Sequence, residues 1–195
     1  MDLKLRLANK EDLNTMLDIY AYYVCETVIS FEYAPPEPAE FARRFETFTA
    51  VFPWIVCEAD GEVLGYAYAH RFHDRAAYDW TAECTVYVKD GCQRRGIGRA
   101  LYTCLLDILR LQGYRMAVGV ISVPNEPSEA LHRYFGFTKA GVIENAGYKM
   151  GAWRSTAWYV LPLSDYPGEP APPLPIGKVT GTEAFEIIIE RSTKP

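Results

Sequence analysis

Thr81-Ala-Glu-Cys-Thr-Val-Tyr-Val88, then Lys89-Asp-Gly-Cys92, then Gln93-Arg-Arg-Gly-Ile-Gly98: this stretch decides how the chain folds. Its first eight residues alternate and are rich in β-branched and aromatic side chains, which reads as a strand. Ala82, Cys84, Val86 and Val88 share one parity; Thr81, Glu83, Thr85 and Tyr87 share the other. From Gly96 to Gln112 the spacing predicts a long amphipathic helix, with Ile97, Ala100, Leu101, Cys104, Leu105 and Ile108 as its stripe and Gly113 as its stop. Between strand and helix lies a basic, glycine-punctuated loop. Gly96 and Gly98 lack a Cβ and let backbone approach a ligand closely. The helix behind them leaves its first N–H groups unpaired, and its dipole favours an anion there. Arg94, Arg95 and Arg99 concentrate positive charge at that point, in a chain whose formal net charge is −5. The loop is neither a dinucleotide fingerprint, since the spacing differs, nor a nucleotide P-loop, since no Gly-Lys-Ser/Thr follows.

Composition bounds the rest. At 195 residues, 49% hydrophobic and 14% aromatic, the chain can bury a substantial core. It divides into one domain over residues 1–163 and a proline-rich tail over 164–195. Net acidity argues against nucleic acid or an anionic membrane as a partner. The alternation at Leu3–Leu7 is a strand pattern and not a leader, and no apolar run is long enough to span a bilayer. The five cysteines are odd in number and lack metal-ligand spacing, so they read as reduced thiols of a cytoplasmic protein, and no metal site is expected.

Asn9 with Asp12 reads as the cap of a first helix, and a second runs from about Pro38 to Phe48. Thr27–Pro36 reads as a loop. Trp54–Ala59 and Glu62–Phe72 flank Asp60-Gly61, a hairpin signal. Met116–Val123 is apolar on both parities, as in a strand covered on both faces. A short helix follows Pro124-Asn125-Glu-Pro127 and stops at Gly136. Thr138–Glu144 and Thr156–Pro162 read as closing strands. Beyond Leu163, Pro167 to Pro175 form a stiff linker, and Phe185–Ile189 reads as a short β-prone strip.

Gln93-Arg94-Arg95-Gly96-Ile97-Gly98 resembles the pyrophosphate loop of the GNAT superfamily of N-acetyltransferases. The resemblance implies the GNAT fold: α/β, a mixed central sheet flanked by helices, here with a proline-rich C-terminal extension. It also implies acetyl-CoA as co-substrate, held by Gln93–Gly98 with Arg99, by the backbone of Val86, Tyr87 and Val88, and by Asn125 and Ser128. Acetyl transfer to an amine needs a base, an oxyanion donor and a way to release the thiolate. On parity alone Glu83 is equally a base or a solvated strand glutamate. His132 stands where many members place a tyrosine near the thioester sulfur, in Asn125-Glu-Pro-Ser128-Glu-Ala-Leu-His132.

Further segments narrow the resemblance to the phosphinothricin and methionine sulfoximine acetyltransferase family. They are Trp54–Gly61, Arg75-Ala-Ala-Tyr78-Asp-Trp80-Thr-Ala-Glu83, Val120–Ser128 and Gly147-Tyr148-Lys149-Met-Gly-Ala-Trp153. This implies catalytic roles for Glu83 and His132, a small amino-acid substrate, and a homodimer. Arg75 is the first candidate for a carboxylate or phosphinate partner, with Lys149 and Arg154 behind it. Phe31, Tyr33, Tyr78 and Thr85 complete the substrate set. Gly91-Cys92 departs from the basic or aromatic pair usual before the loop. Acetylation of another amine (a protein N-terminus, a polyamine, an aminoglycoside) and a non-catalytic acyl-CoA sensor are the competing readings. The tail strip is expected to bury itself on a sheet edge or groove, such as the partner subunit's.

Overall fold

Asp60 and Gly61 both take left-handed φ values, 53° and 80°, and so close a tight hairpin between β2 (Trp54–Ala59) and β3 (Glu62–Arg71). In the computed structural model, which describes residues 2–166 and 168–193, this hairpin is the centre of one half of a seven-stranded sheet. β1 (Lys4–Leu7) pairs with β2, and β3 pairs with β4 (Thr81–Val88), all antiparallel. The other half comprises β5 (Met116–Val123), β7 (Ala152–Pro162) and β6 (Thr138–Lys149), in that spatial order and again antiparallel. One parallel contact, β4 with β5, joins the halves and makes the sheet mixed.

The helices cover both faces. α1 (Leu13–Cys25) and α2 (Pro38–Thr49) lay Met16, Ile19, Val24, Phe41 and Phe45 against Trp54, Val56 and Tyr66. The expected cap is present: Glu11 N–H donates to the Asn9 side chain at 2.8 Å, and Asn9 N–H to Asp12 at 2.8 Å. It opens a short 3-10 turn, Lys10–Asp12, that runs into α1. On the opposite face α3 (Ile97–Gln112) fully buries Leu101, Leu105, Ile108 and Leu109. Each such side chain contributes ~1.5–3 kcal/mol of burial free energy. α4 (Glu126–Tyr134) begins at Asn125, whose side chain accepts from Ser128 N–H.

β6 and β7 are longer than their apolar cores suggest. Met150 and Gly151, at φ 49° and 76°, make a second tight hairpin turn, and Asn145, at φ 54°, lies where the register shifts between Ile143 and Gly147. A shift there lets the pairing resume through Gly147–Lys149, past the polar stretch that reads as a strand end.

The tail differs from expectation. Phe185–Ile189 is not a strand but part of a helix, α6 (Glu183–Ser192), preceded by one turn, α5 (Ile176–Val179). Thr182 caps α6 by accepting from Phe185 N–H, acidic Glu183 and Glu186 sit in its first turn, and Arg191 in its last. Phe185 and Ile188, three apart, then face one way into the core shared with α3. Phe185 and Ile188 are therefore buried on their own chain, in a helix packed against α3 and β1, while Ile187 stays exposed. The linker is fastened by buried Gln112, which donates to the carbonyls of Val51 and Leu174 at 2.8 and 2.7 Å. Pro167 of that linker lies outside the described residues.

Candidate active site

β4 and β5 pair at Thr81–Glu83 with Met116–Val118; among the described residues their ladder goes no further. Beyond Glu83 the two strands diverge. The edge of β4 from Thr85 to Val88 that faces β5 has no strand partner, while β5 continues against β7 to Val123. The divergence opens a cleft of 540 Å³ between Thr85, Val86 and Tyr87 on one wall and Val120, Ile121 and Ser122 on the other.

Glu83 lines this cleft just where the ladder ends. Its carboxyl is raised above its ordinary range, because burial disfavours the charge; His70, directly across the β3–β4 ladder, pulls the other way. Their closest approach, Nε2 to Oε1, is 3.8 Å.

His132 also lines the cleft and is 3% exposed. Its Nδ1 sits 2.8 Å from the Ser128 carbonyl, which can only accept, so Nδ1 carries the hydrogen. Burial lowers the imidazole's affinity for a second proton, and the Ser128 carbonyl only partly offsets that. Nε2 thus carries the ring's lone pair, which accepts the Tyr102 hydroxyl at 3.0 Å. Tyr102 comes from α3, is fully buried, and lines the same cleft. The imidazole packs among the rings of Tyr102, Phe137 and Tyr159. Gly119 of β5 lies against it: a Cβ there would fall 2.3 Å from Nε2. Below, Glu129 accepts from Tyr159 at 2.7 Å and Lys139 at 2.9 Å, which holds its carboxyl at about 2 and ties α4 to the second half-sheet.

Past Val88 the loop carries left-handed φ at Gly91 (75°), Arg94 (62°) and Gly96 (84°). Gly96 is the N-cap of α3 and supplies no side-chain cap, so the first N–H groups of the helix remain available to an anion. Gln93, Arg94, Arg95 and Arg99 are exposed around it, with Arg99 resting on the Tyr134 ring at 4.3 Å. Ile97 sends its side chain into the core, and Gly98 packs near Leu131 and Val88. A free strand edge, an uncapped helix start and three arginines fit a long thioester ligand with a pyrophosphate. Asn125 and Ser128 line the cleft on the α4 side.

This geometry is that of a known family. Residues 5–158 match the acetyltransferase (GNAT) domain. The chain belongs to the GNAT acetyltransferases. It is an acetyl-CoA-dependent N-acetyltransferase. This acetyltransferase is 38% identical, over 91% of its length and 95% of the relative's, to phosphinothricin N-acetyltransferase of Streptomyces viridochromogenes. It is 32% identical, over 84% of its length and 96% of the relative's, to the L-methionine sulfoximine/L-methionine sulfone acetyltransferase of Pseudomonas aeruginosa. The phosphinothricin acetyltransferase of Sinorhizobium meliloti, crystallised with acetyl-CoA, superimposes with a TM-score of 0.84 at 36% identity, covering 88% of this chain and 94% of that one.

Of the expected substrate residues, Phe31 and Thr85 line the cleft of this acetyltransferase. The Phe31 ring packs on Gly147, where any Cβ would fall 2.6 Å from the ring. Tyr33, Arg75 and Tyr78 do not line it. Tyr33 is 75% exposed and donates to the Tyr148 carbonyl. Arg75 begins a 3-10 turn, Ala76–Tyr78, in the loop that leaves β3, and Tyr78 stacks on His73 there. Lys149 is buried, with Nζ donating to the carbonyls of Val24 and Ser30 at 2.8 and 2.6 Å. It pins the Phe31 loop and is committed away from substrate. Arg154 donates to the Lys149 carbonyl. Among the cleft residues that sequence reasoning did not assign to the site are Tyr102, His70 and Ser122, whose buried Oγ has no protein hydrogen-bond partner.

Proposed function

We propose that this enzyme acetylates the α-amino group of a small amino acid with a tetrahedral polar head group, such as phosphinothricin, methionine sulfoximine or methionine sulfone, with Glu83 as general base. The observation that carries the reading is a carboxylate of raised proton affinity at the point where β4 and β5 part. The names of the relatives support the substrate class. When bound, acetyl-CoA supplies the thioester carbonyl to be attacked. Glu83 takes the ammonium proton, directly or through water. The free N–H edge at Val86–Val88 donates to the carbonyl oxygen. Tyr102 donates its single hydroxyl hydrogen to Nε2 of neutral His132 and so orients the imidazole, and the departing sulfur takes the second proton lost by the attacking nitrogen.

One observation favours a second reading. The cleft is lined by two carboxylates, Glu32 and Glu83, and among the described residues by no lysine or arginine. That balance suits a substrate carrying more than one positive charge. Thiol release from acetyl-CoA, measured over a panel of phosphinothricin, methionine sulfoximine, methionine sulfone, spermidine and an aminoglycoside, tests both. Highest kcat/KM on the amino acids supports the first reading, and on the polycations the second. No turnover with any of these amines would overturn both readings of the substrate.

The phosphate loop has its own test. Gly96→Ala forces an L side chain into a left-handed backbone, costing ~1–2 kcal/mol. KM for acetyl-CoA is expected to rise with kcat nearly constant. A lower kcat at unchanged KM would contradict the loop's binding role.

The enzyme is further proposed to be a cytoplasmic homodimer. Its described cysteines are free. β6 is an outer strand whose residues are exposed along almost its whole length, with Val142, Ile143 and Tyr148 open to solvent and Trp153 of β7 beside them. Such an apolar edge invites a second copy. Sedimentation at micromolar concentration is expected to give twice the chain mass, and Ile143→Lys to give the monomer. A wild-type monomer would exclude the dimer.

A further inference from the structure

His70 has no place in the mechanism above, yet it occupies a position no surface histidine needs. It stands on β3 opposite Glu83, and both side chains reach the cleft. Its Nδ1 lies 3.0 Å from the Arg71 carbonyl, an acceptor only, so Nδ1 holds the hydrogen in the neutral ring. The lone pair is thereby left on Nε2, the ring nitrogen 3.8 Å from Glu83 Oε1, a gap one water can bridge. The ring is held in that orientation by Phe48, stacked at 5.3 Å and 23°, with Tyr68 tilted beside it at 5.9 Å. Behind His70 lies a second chamber of 260 Å³, bounded by Arg44, Glu32, Phe48 and Trp54. His70 lines both spaces and so stands between them.

A general base must shed its proton before the next turnover. We propose that His70 is the proton exit of this site: the proton that Glu83 takes from the substrate passes to Nε2 of His70 and leaves through the second chamber. The proposal rests on Glu83 being the base. In the first transfer an N–H bond of the ammonium breaks and an O–H bond forms on Glu83, leaving a neutral amine. In the second that O–H bond breaks and an N–H bond forms at Nε2, giving imidazolium and restoring the carboxylate. The imidazolium then loses the Nε2 proton to solvent, which resets the tautomer fixed by Arg71. No other reactant is consumed.

The electrostatics favour this route. Burial raises the proton affinity of Glu83 above its ordinary range, and His70 beside it pulls the other way. The charged groups facing the imidazole are Glu83 from β4, Glu32 from the Phe31 loop and Arg44 from α2. Arg44 is itself paired with Glu32 and Glu40, at 2.6 and 3.0 Å, so it does not forbid a transient imidazolium.

The test uses the full chain, acetyl-CoA, and phosphinothricin or methionine sulfoximine as amine. His70→Gln keeps a donor for the Arg71 carbonyl and much of the volume but cannot carry a proton; His70→Ala leaves room for added imidazole. Both are expected to lose about tenfold in kcat, with KM for acetyl-CoA unchanged. Millimolar imidazole should restore His70→Ala and leave Glu83→Gln inactive. A folded His70→Gln with wild-type kcat from pH 6 to 9 would overturn the relay, as would failure of imidazole to rescue His70→Ala. If Glu83→Gln itself turns over normally, the base assignment falls, and the relay with it. If Glu83→Gln is inactive while both His70 variants are normal, the relay alone falls.

Discussion

Glu83→Gln is expected to lower kcat by about 10²–10⁴-fold, the range that a positioned general base supplies. The amide keeps the shape of the side chain at the end of the β4–β5 ladder, so affinity for acetyl-CoA, measured by calorimetry, should stay near wild type. The pH profile adds a second reading. Burial raises the Glu83 carboxyl, and His70 only partly offsets this. A base works when deprotonated, so wild-type kcat/KM should climb with pH through a midpoint above the usual carboxylate range, about 4.3 for glutamate. In the glutamine variant that limb should vanish. Normal turnover near pH 7 in Glu83→Gln would remove the residue from the chemistry.

Gly119→Ala is expected to be nearly as damaging to activity as His132→Ala, although it adds only a methyl group. The new Cβ would sit 2.3 Å from Nε2 and 2.8 Å from Cδ2 of His132. The ring cannot swing aside, because Tyr102, Phe137 and Tyr159 enclose it. Overpacking of this kind costs ~1–3 kcal/mol. The sharper test is a cycle. His132→Ala empties the space that the methyl needs, so the double variant should be as stable to denaturant as His132→Ala alone. Strictly additive losses would mean that glycine is required at 119 for some reason other than the imidazole.

Much of this site is written locally. Alternation placed Glu83 on the parity opposite Ala82 and Cys84, the Asp60-Gly61 pair marked the β2–β3 hairpin, and glycine punctuation marked the loop before α3. Those signals act over a few residues, where backbone sterics dominate. What escaped notice depends on register and packing between distant segments. His70 meets Glu83 because the β3–β4 ladder aligns them, and no spacing within β3 announces that. Tyr102 sits one place from Leu101 on α3 and reads as core; only the packing of α4 on α3 sets its hydroxyl against His132 at the cleft wall. Lys149 looks like an anion ligand in sequence, yet two backbone carbonyls claim it. In the tail, three consecutive isoleucines suggested β structure; the Thr182 cap and the pairing of Phe185 with Ile188 decided for helix.

The cleft is made from hydrogen bonds that the sheet declines to form. Three residue pairs hold the two half-sheets together, and past Glu83 an interior strand edge stands open. A ligand lying along that edge completes the sheet much as another strand would. The co-substrate should therefore act as a structural ligand as well as a reactant: at one hundred times its Kd it would add about 2.7 kcal/mol to the folding free energy. The amide hydrogens among residues 85–88 that point toward β5, and not those bonded to β3, should exchange quickly in the empty protein and slowly once the edge is filled. The same seam would then set both the heat resistance of the enzyme and its dependence on the acyl donor supplied by the cell.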